Sequence, residues 1–301
     1  MNIFSADQYV LPLPPGHRFP MAKYALLRQR VVDAGLPTRP PSPATDAEIL
    51  RAHTPDYLDR FVNGTLSEAE VRRIGFPWSP GLVERSRRSA GATIAVCRSA
   101  LEDGVGVNLA GGTHHAFADA GEGYCCLNDS AIAARALLAE GRVRRVVVLD
   151  GDVHQGNGTA HIFRDDPAVF TFSVHGQKNF PLRKEPSDLD VGLDDGVGDA
   201  EYLEALEAGV RAALRRAGAD LAIYLAGADP FEGDRLGRLK VTKEGLAERD
   251  RLVFGLCRRA GLPVAVTMAG GYARQVEDTV DIHFRTVCLA AELLGGVRTG
   301  G

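Results

Sequence analysis

Asp152 and His154 stand two residues apart in the segment Asp150-Gly151-Asp152-Val153-His154. Side chains at i and i+2 of an extended segment face the same way, so a carboxylate oxygen and an imidazole nitrogen can turn toward one ion. Asp229, in Ala226-Gly227-Ala228-Asp229, is the candidate third ligand. Two carboxylates and one imidazole, with no thiolate, suit a catalytic Zn²⁺ or Fe²⁺ that keeps a position for water; structural zinc would want four protein ligands. His114 and His115 are consecutive, and paired imidazoles beyond a strand can divide the work of general base and electrostatic partner. Asp150 is a natural acceptor for one of their ring N–H groups and Asn157 for the other. Tyr272 follows two glycines that let the backbone approach a ligand, and its phenol can donate to a tetrahedral oxyanion. Each of these residues alone is ordinary loop or core chemistry, so their convergence is the argument.

That convergence depends on the elements behind them. Five short apolar runs, Val105 to Leu109, Arg145 to Leu149, Ala168 to Val174, Leu221 to Leu225 and Pro263 to Met268, read as buried parallel strands. Helical patterns alternate with them. Asn128-Asp129-Ser130 offers N-cap oxygens to a helix stopping at Gly141, Asp199 is the expected cap of the next, and Thr242 that of a third. Earlier helices are expected around Met21 to Ala34 and Gly81 to Glu102, with Leu36 to Ala44 as a Pro-rich loop. The Asp188 to Asp199 stretch reads as a solvated turn, since it lacks the register of a calcium loop. Strand and helix in alternation predict an α/β fold with a parallel sheet covered on both faces. Ligands bind beyond the carboxyl ends of such strands, and every candidate residue follows a strand.

With 301 residues, 45% hydrophobic and 25% charged, the chain can bury a large core, and one domain over residues 1–301 is expected. A net charge of −4 with interspersed signs argues against nucleic acid as a partner. Five cysteines without a C-x-x-C pair read as reduced thiols. Neither a signal peptide nor an apolar run of membrane-spanning length is apparent, so a cytoplasmic protein with no membrane partner is expected. Nothing in the sequence sets the oligomeric state.

GGTHHAF, GEGYCCLND, VVVLDGDVHQGNGTAHIF, LAGADPFEGDRLGRL and MAGGY, in this order, resemble the zinc-dependent histone deacetylase superfamily. The resemblance runs from about Pro14 (PPGHRFPMAKY) to the C-terminal helix. HRFPMAKY, DVHQGNGT and HGQKNFPLRKEPSDLD are most similar to the class IV branch and its bacterial relatives. The resemblance implies a single-domain arginase/deacetylase fold with a mostly parallel eight-stranded sheet, and removal of acyl groups from acylated lysine or a related amine. It also implies that Asp152, His154 and Asp229 are zinc ligands, His115 the general base, His114 its neighbour paired with Asp150, and Tyr272 the oxyanion-stabilising tyrosine. Gly123 and Tyr124, with Phe180 opposite, would line an acyl-lysine channel. A potassium ion is implied near Asp150, Asp152, His154, Ser173 and Val174.

Two positions depart from the commoner pattern. Asn157 stands where class I members carry a second Asp, which lowers the expected basicity of His115, although the class IV branch often shares this Asn. Tyr124 replaces the commoner channel Phe. Two other classes compete with the deacylase. A binuclear manganese ureohydrolase of the arginase type needs a further Asp shortly after the ligating His, where this chain has Gln155, Gly156 and Asn157. A non-catalytic acyl-lysine-binding module would keep the pocket, but all expected catalytic positions are present.

Overall fold

The computed structural model describes residues 1–295. Its eight strands are β1 (Asn2–Phe4), β2 (Thr38–Arg39), β3 (Val105–Asn108), β4 (Val146–Asp150), β5 (Val169–Gly176), β6 (Leu189–Leu193), β7 (Leu221–Leu225) and β8 (Val264–Thr267). The helices, in chain order, are α1 (Ala22–Asp33), α2 (Asp46–Ile49), α3 (Pro55–Asn63), α4 (Glu68–Ile74), α5 (Pro80–Asp103), α6 (Asp129–Ala139), α7 (Asn157–Phe163), α8 (Asp199–Ala217), α9 (Lys243–Arg259) and α10 (Val276–Leu294).

All strands join one parallel sheet in the order β2-β1-β3-β8-β7-β4-β5-β6. All five residues of β4 are buried because the sheet has a core on each face. Successive side chains of a strand point to opposite faces. Accordingly Val147 and Leu149 pack with α8 and α9 residues such as Leu206 and Phe254, whereas Val146 and Val148 pack with α5 and α6 residues such as Ile94 and Ile132.

The register levels the strand ends. Asn108 pairs with Thr267, Thr267 with Leu225, Leu225 with Asp150, and Asp150 with Ser173. Four central strands, β3, β8, β7 and β4, therefore finish in one row while β5 runs three residues further, and the loops that follow leave from a common edge.

Several elements differ from the sequence reading. The expected turn from Asp188 to Asp199 contains edge strand β6. Its Leu189, Val191 and Leu193 alternate with polar or small residues, a period-2 signal masked by Asp and Gly turn chemistry. Strand β1 at the N-terminus and the two-residue β2 inside the Pro-rich loop are too short to carry a period. Asn128 and Thr242 cap α6 and α9 as expected, accepting from the amides of Ala131 and Gly245. Asp199 is not a cap. Gly198 precedes α8, and the Asp199 carboxylate instead accepts from the Thr242 amide and hydroxyl at 2.7 Å each, tying α8 to α9. Among the described residues all five cysteines are free, and no helix is long and apolar enough to cross a membrane.

Candidate active site

The loop after β4 and the loop after β7 bring Asp152, His154 and Asp229 together. One ligand atom from each lies within 4.8 Å of the others, and all three side chains are buried. His154 Nδ1 is 3.0 Å from Asp152 Oδ1 and 3.1 Å from Asp229 Oδ2. Backbone amides fix the carboxylates: Val153 N donates to Asp229 Oδ1 at 2.9 Å, and Gly270 N donates to Asp152 Oδ2 at 2.7 Å. Gly270 has to be glycine, because a Cβ there would lie 2.0 Å from Asp229 Oδ2 and 2.6 Å from Asp152 Oδ2.

The electrostatics suit a cation. Burial together with the charge of Asp152 raises the Asp229 carboxyl to about 7. Burial disfavours a charged His154, yet hydrogen bonds to Asp152 and Asp229 outweigh it and lift that imidazole to about 10. Buried carboxylates converging in this way are costly unless positive charge sits among them. Two carboxylate oxygens and an imidazole nitrogen in a cradle that no extra methyl could share form a donor set that fits a divalent cation.

His114 and His115 leave the end of β3, with ring centroids 4.2 Å apart. His114 Nδ1 lies 2.7 Å from Asp150 Oδ2, and His115 Nδ1 lies 2.7 Å from Asn157 Oδ1. The two partners impose different states. Burial opposes charge on His114, but the carboxylates of Asp150 and Asp152 raise it to about 9. Burial and the neighbouring His114 and His154 push His115 well below the ordinary histidine value, and neutral Asn157 recovers little. Asn157 Nδ2 also donates to Glu122 Oε2 at 3.3 Å, fixing which way the amide points.

Tyr272 closes the hollow from the loop after β8, its ring 6.5 Å from that of His154. Burial, with the Asp229 and Asp152 charges, keeps its phenol protonated, well above the ordinary value. Gly123 adopts φ +54°, and a Cβ there would meet His115 Cδ2 at 2.8 Å and Phe180 Cε1 at 3.1 Å. Gly123 and Phe180 thus face one another beside His115, whose ring meets Phe180 edge-on at 4.9 Å. The Tyr124 ring packs with Phe19 and Phe76, 5.2 Å from each. The hollow comprises a recess of about 80 Å³, where Leu11, Phe19, Phe76 and Leu82 join the imidazoles, Asp152 and Tyr272 in its lining, and it adjoins a mouth of about 450 Å³ that shares His115, His154 and Tyr272. Ser173 is level with Asp150, and its Oγ lies 2.9 Å from His175 Nδ1.

The structure brings together the three residues expected from the sequence to hold a metal, the two imidazoles and the phenol. It adds supports that sequence reasoning missed. Arg249, fully buried on α9, donates to the carbonyls of Gly151 and Gly227, which precede Asp152 and Asp229 by one and two residues, and pairs with Asp250 at 2.9 Å. Asp234 accepts the Tyr272 amide at 2.6 Å. Buried Lys23 lies 3.4 Å from the carbonyls of Ala269 and Gly271. The available signal was weak: charged residues inside amphipathic helices ordinarily mark solvated faces.

An all-parallel α/β sheet with this site beyond its strand ends defines the arginase/deacetylase architecture. The solved structures it resembles include the HDA15 HD domain, with a TM-score of 0.78, 22% identity and coverage of 99% of this chain and 93% of that one. Another is acetylpolyamine aminohydrolase from Burkholderia pseudomallei, with a TM-score of 0.78, 23% identity and coverage of 97% and 99%. At these identities the likeness is one of fold.

The histone deacetylase domain model matches residues 17–287, and the chain belongs to the histone deacetylase family. It is 46% identical over 279 residues to an uncharacterised protein of Picosynechococcus sp., covering 91% of this chain and 93% of that protein. It is 33% identical over 269 residues to a histone deacetylase-like amidohydrolase of Pseudomonas aeruginosa, covering 83% and 70%, and 30% identical over 258 residues to histone deacetylase 2 of Arabidopsis thaliana, covering 80% and 66%. Membership supports a deacylase or amidohydrolase type of activity.

Proposed function

We propose that the protein is a zinc-dependent amidohydrolase that removes the acyl group from an acylated lysine or similar amine. The observation that carries this reading is the buried Asp152, His154 and Asp229 cluster facing an imidazole doublet and a phenol across one hollow. A divalent cation held by those three residues, Zn²⁺ or Fe²⁺, would polarise the acyl carbonyl and acidify a water beside it.

The chain's own residues supply the rest. The acyl-lysine stem enters between Gly123, Tyr124 and Phe180, and the acyl group reaches the recess beyond. His115 is neutral, and its Nδ1–H donates to Asn157, which leaves Nε2 free to take the proton of the attacking water. Charged His114, held by Asp150, offsets the negative charge that develops beside it. Tyr272 donates its phenolic proton as a hydrogen bond to the oxyanion. When the C–N bond breaks, the proton on His115 passes to the leaving amine, giving a free amine and a carboxylate. The oxygens around Asp150 and Ser173, with those of Asp152, His154 and Val174, would hold a potassium ion that steadies the β4 loop.

Incubation of metal-loaded protein with acyl-lysine peptides and acyl-polyamines of graded chain length tests this reading. Release of carboxylate that a chelator abolishes and added zinc restores is expected. No release from any acyl amine would leave a binding module in place of an enzyme.

A further inference from the structure

The mouth of the site is lined by Arg72, Arg73, Lys178 and Arg238, and the hollow adjoining it beside Tyr272 by Arg18 and Arg235. All six are exposed, and no Asp or Glu lines either depression. Arg72 and Arg238 are partly neutralised by Glu68 at 3.2 Å and Asp195 at 3.1 Å. Among the described residues no carboxylate comes within 4.0 Å of Arg18, Arg73, Lys178 or Arg235. The carboxylate flanking the channel wall, Glu122, is turned inward onto Asn157. This concentration of positive charge stands out on a chain whose net charge is −4.

We propose that this mouth selects acylated lysines carried in acidic peptide segments, and disfavours both polyamines and lysine-rich tails. The inference rests on the deacylase reading and names its substrate class. A lysine neutralised by its acyl group enters the channel without charge, so the residues on either side of it meet the arginines and Lys178. Neighbouring Asp or Glu side chains find unpaired cations there, whereas neighbouring Lys or Arg, or the free amines of a polyamine, meet like charge. The cations are solvent-exposed, so the selectivity resides in encounter and rim contacts and is screened by salt. Chemistry at the triad is unaffected, and the preference therefore falls in Kd and KM with kcat little changed.

Three labelled peptides with the same central acetyl-lysine, flanked by Glu, by Gln or by Lys, test this by fluorescence anisotropy against the metal-loaded full chain. Binding of the Glu peptide at least ten-fold tighter than the Lys peptide at low salt is expected, with the gap closing toward unity at about 0.5 M salt. The double variant Arg73→Glu, Lys178→Glu should invert the preference while hydrolysing an uncharged acetyl-lysine amide at the unaltered rate. Equal binding of the three peptides, tighter binding of the Lys peptide, or no binding of any overturns the proposal. Acid-selective binding without acyl release from any peptide supports the charge selectivity and contradicts the hydrolase reading.

Discussion

The chemistry assigned to Tyr272 follows from two facts that hold independently of the substrate: its phenol is kept protonated by burial, and its backbone is anchored by Asp234. Removing the hydroxyl leaves the ring packing in place, so Tyr272→Phe should fold normally and lose a single hydrogen-bond donor. A fall in kcat of about 10²-fold or more, with KM much less changed, is expected on the scale of one oxyanion donor. Steady-state kinetics on an acyl-lysine peptide decide it, and near-normal turnover would remove Tyr272 from the mechanism. At this scale the sequence was most legible. Asp150 and Asn157 meet the two imidazoles as their spacing suggested, because the loop after β3 and the end of β4 open on the same edge of the sheet, although β8 and β7 lie between the two strands.

At the scale of elements, the site depends on two loops held from behind by a helix. Arg249 reaches from α9 to the carbonyls of Gly151 and Gly227, while Asp250 beside it accepts from Tyr224 Oη at 2.6 Å and from Thr286 Oγ1. Arg249→Met keeps the volume but strands the Asp250 carboxylate in the core, so a loss of roughly 3–5 kcal/mol is expected. Denaturant unfolding measures it, and a change below about 1 kcal/mol would show that the ion pair does not brace the loops. None of this was readable beforehand, since an Arg-Asp pair within KEGLAERDRLVFGLCRRAG looks like any solvated helix face until the neighbouring elements cover it. The five central strands, by contrast, were visible as apolar runs because burial on both faces suppresses polar residues. Edge strands β2 and β6 were not, because an edge demands little of its sequence, and β1, though paired on both sides, has only three residues to carry a pattern.

Over the whole molecule, acid should act through buried histidines as well as carboxylates. His53 accepts from the Asn128 amide at the start of α6, and burial lowers its pKa to about 4 from the unfolded value of 6.5. The unfolded chain therefore binds a proton that the folded one refuses between those values. His53 costs nothing above about pH 6.5, and its penalty grows to about 3 kcal/mol as pH falls to about 4. His53→Gln retains an acceptor but does not titrate, so its unfolding free energy should fall less steeply across that interval. Parallel pH profiles for the two proteins would contradict the assignment.

The central claim is that Asp152, His154 and Asp229 share one divalent cation on a chain that lacks the carboxylate for a second. Anomalous diffraction at the zinc absorption edge from crystals of zinc-loaded protein tests it most directly. We predict a single strong peak among those three side chains, lost in Asp229→Ala. A peak elsewhere, or two peaks sharing the hollow as a binuclear centre would give, would contradict it.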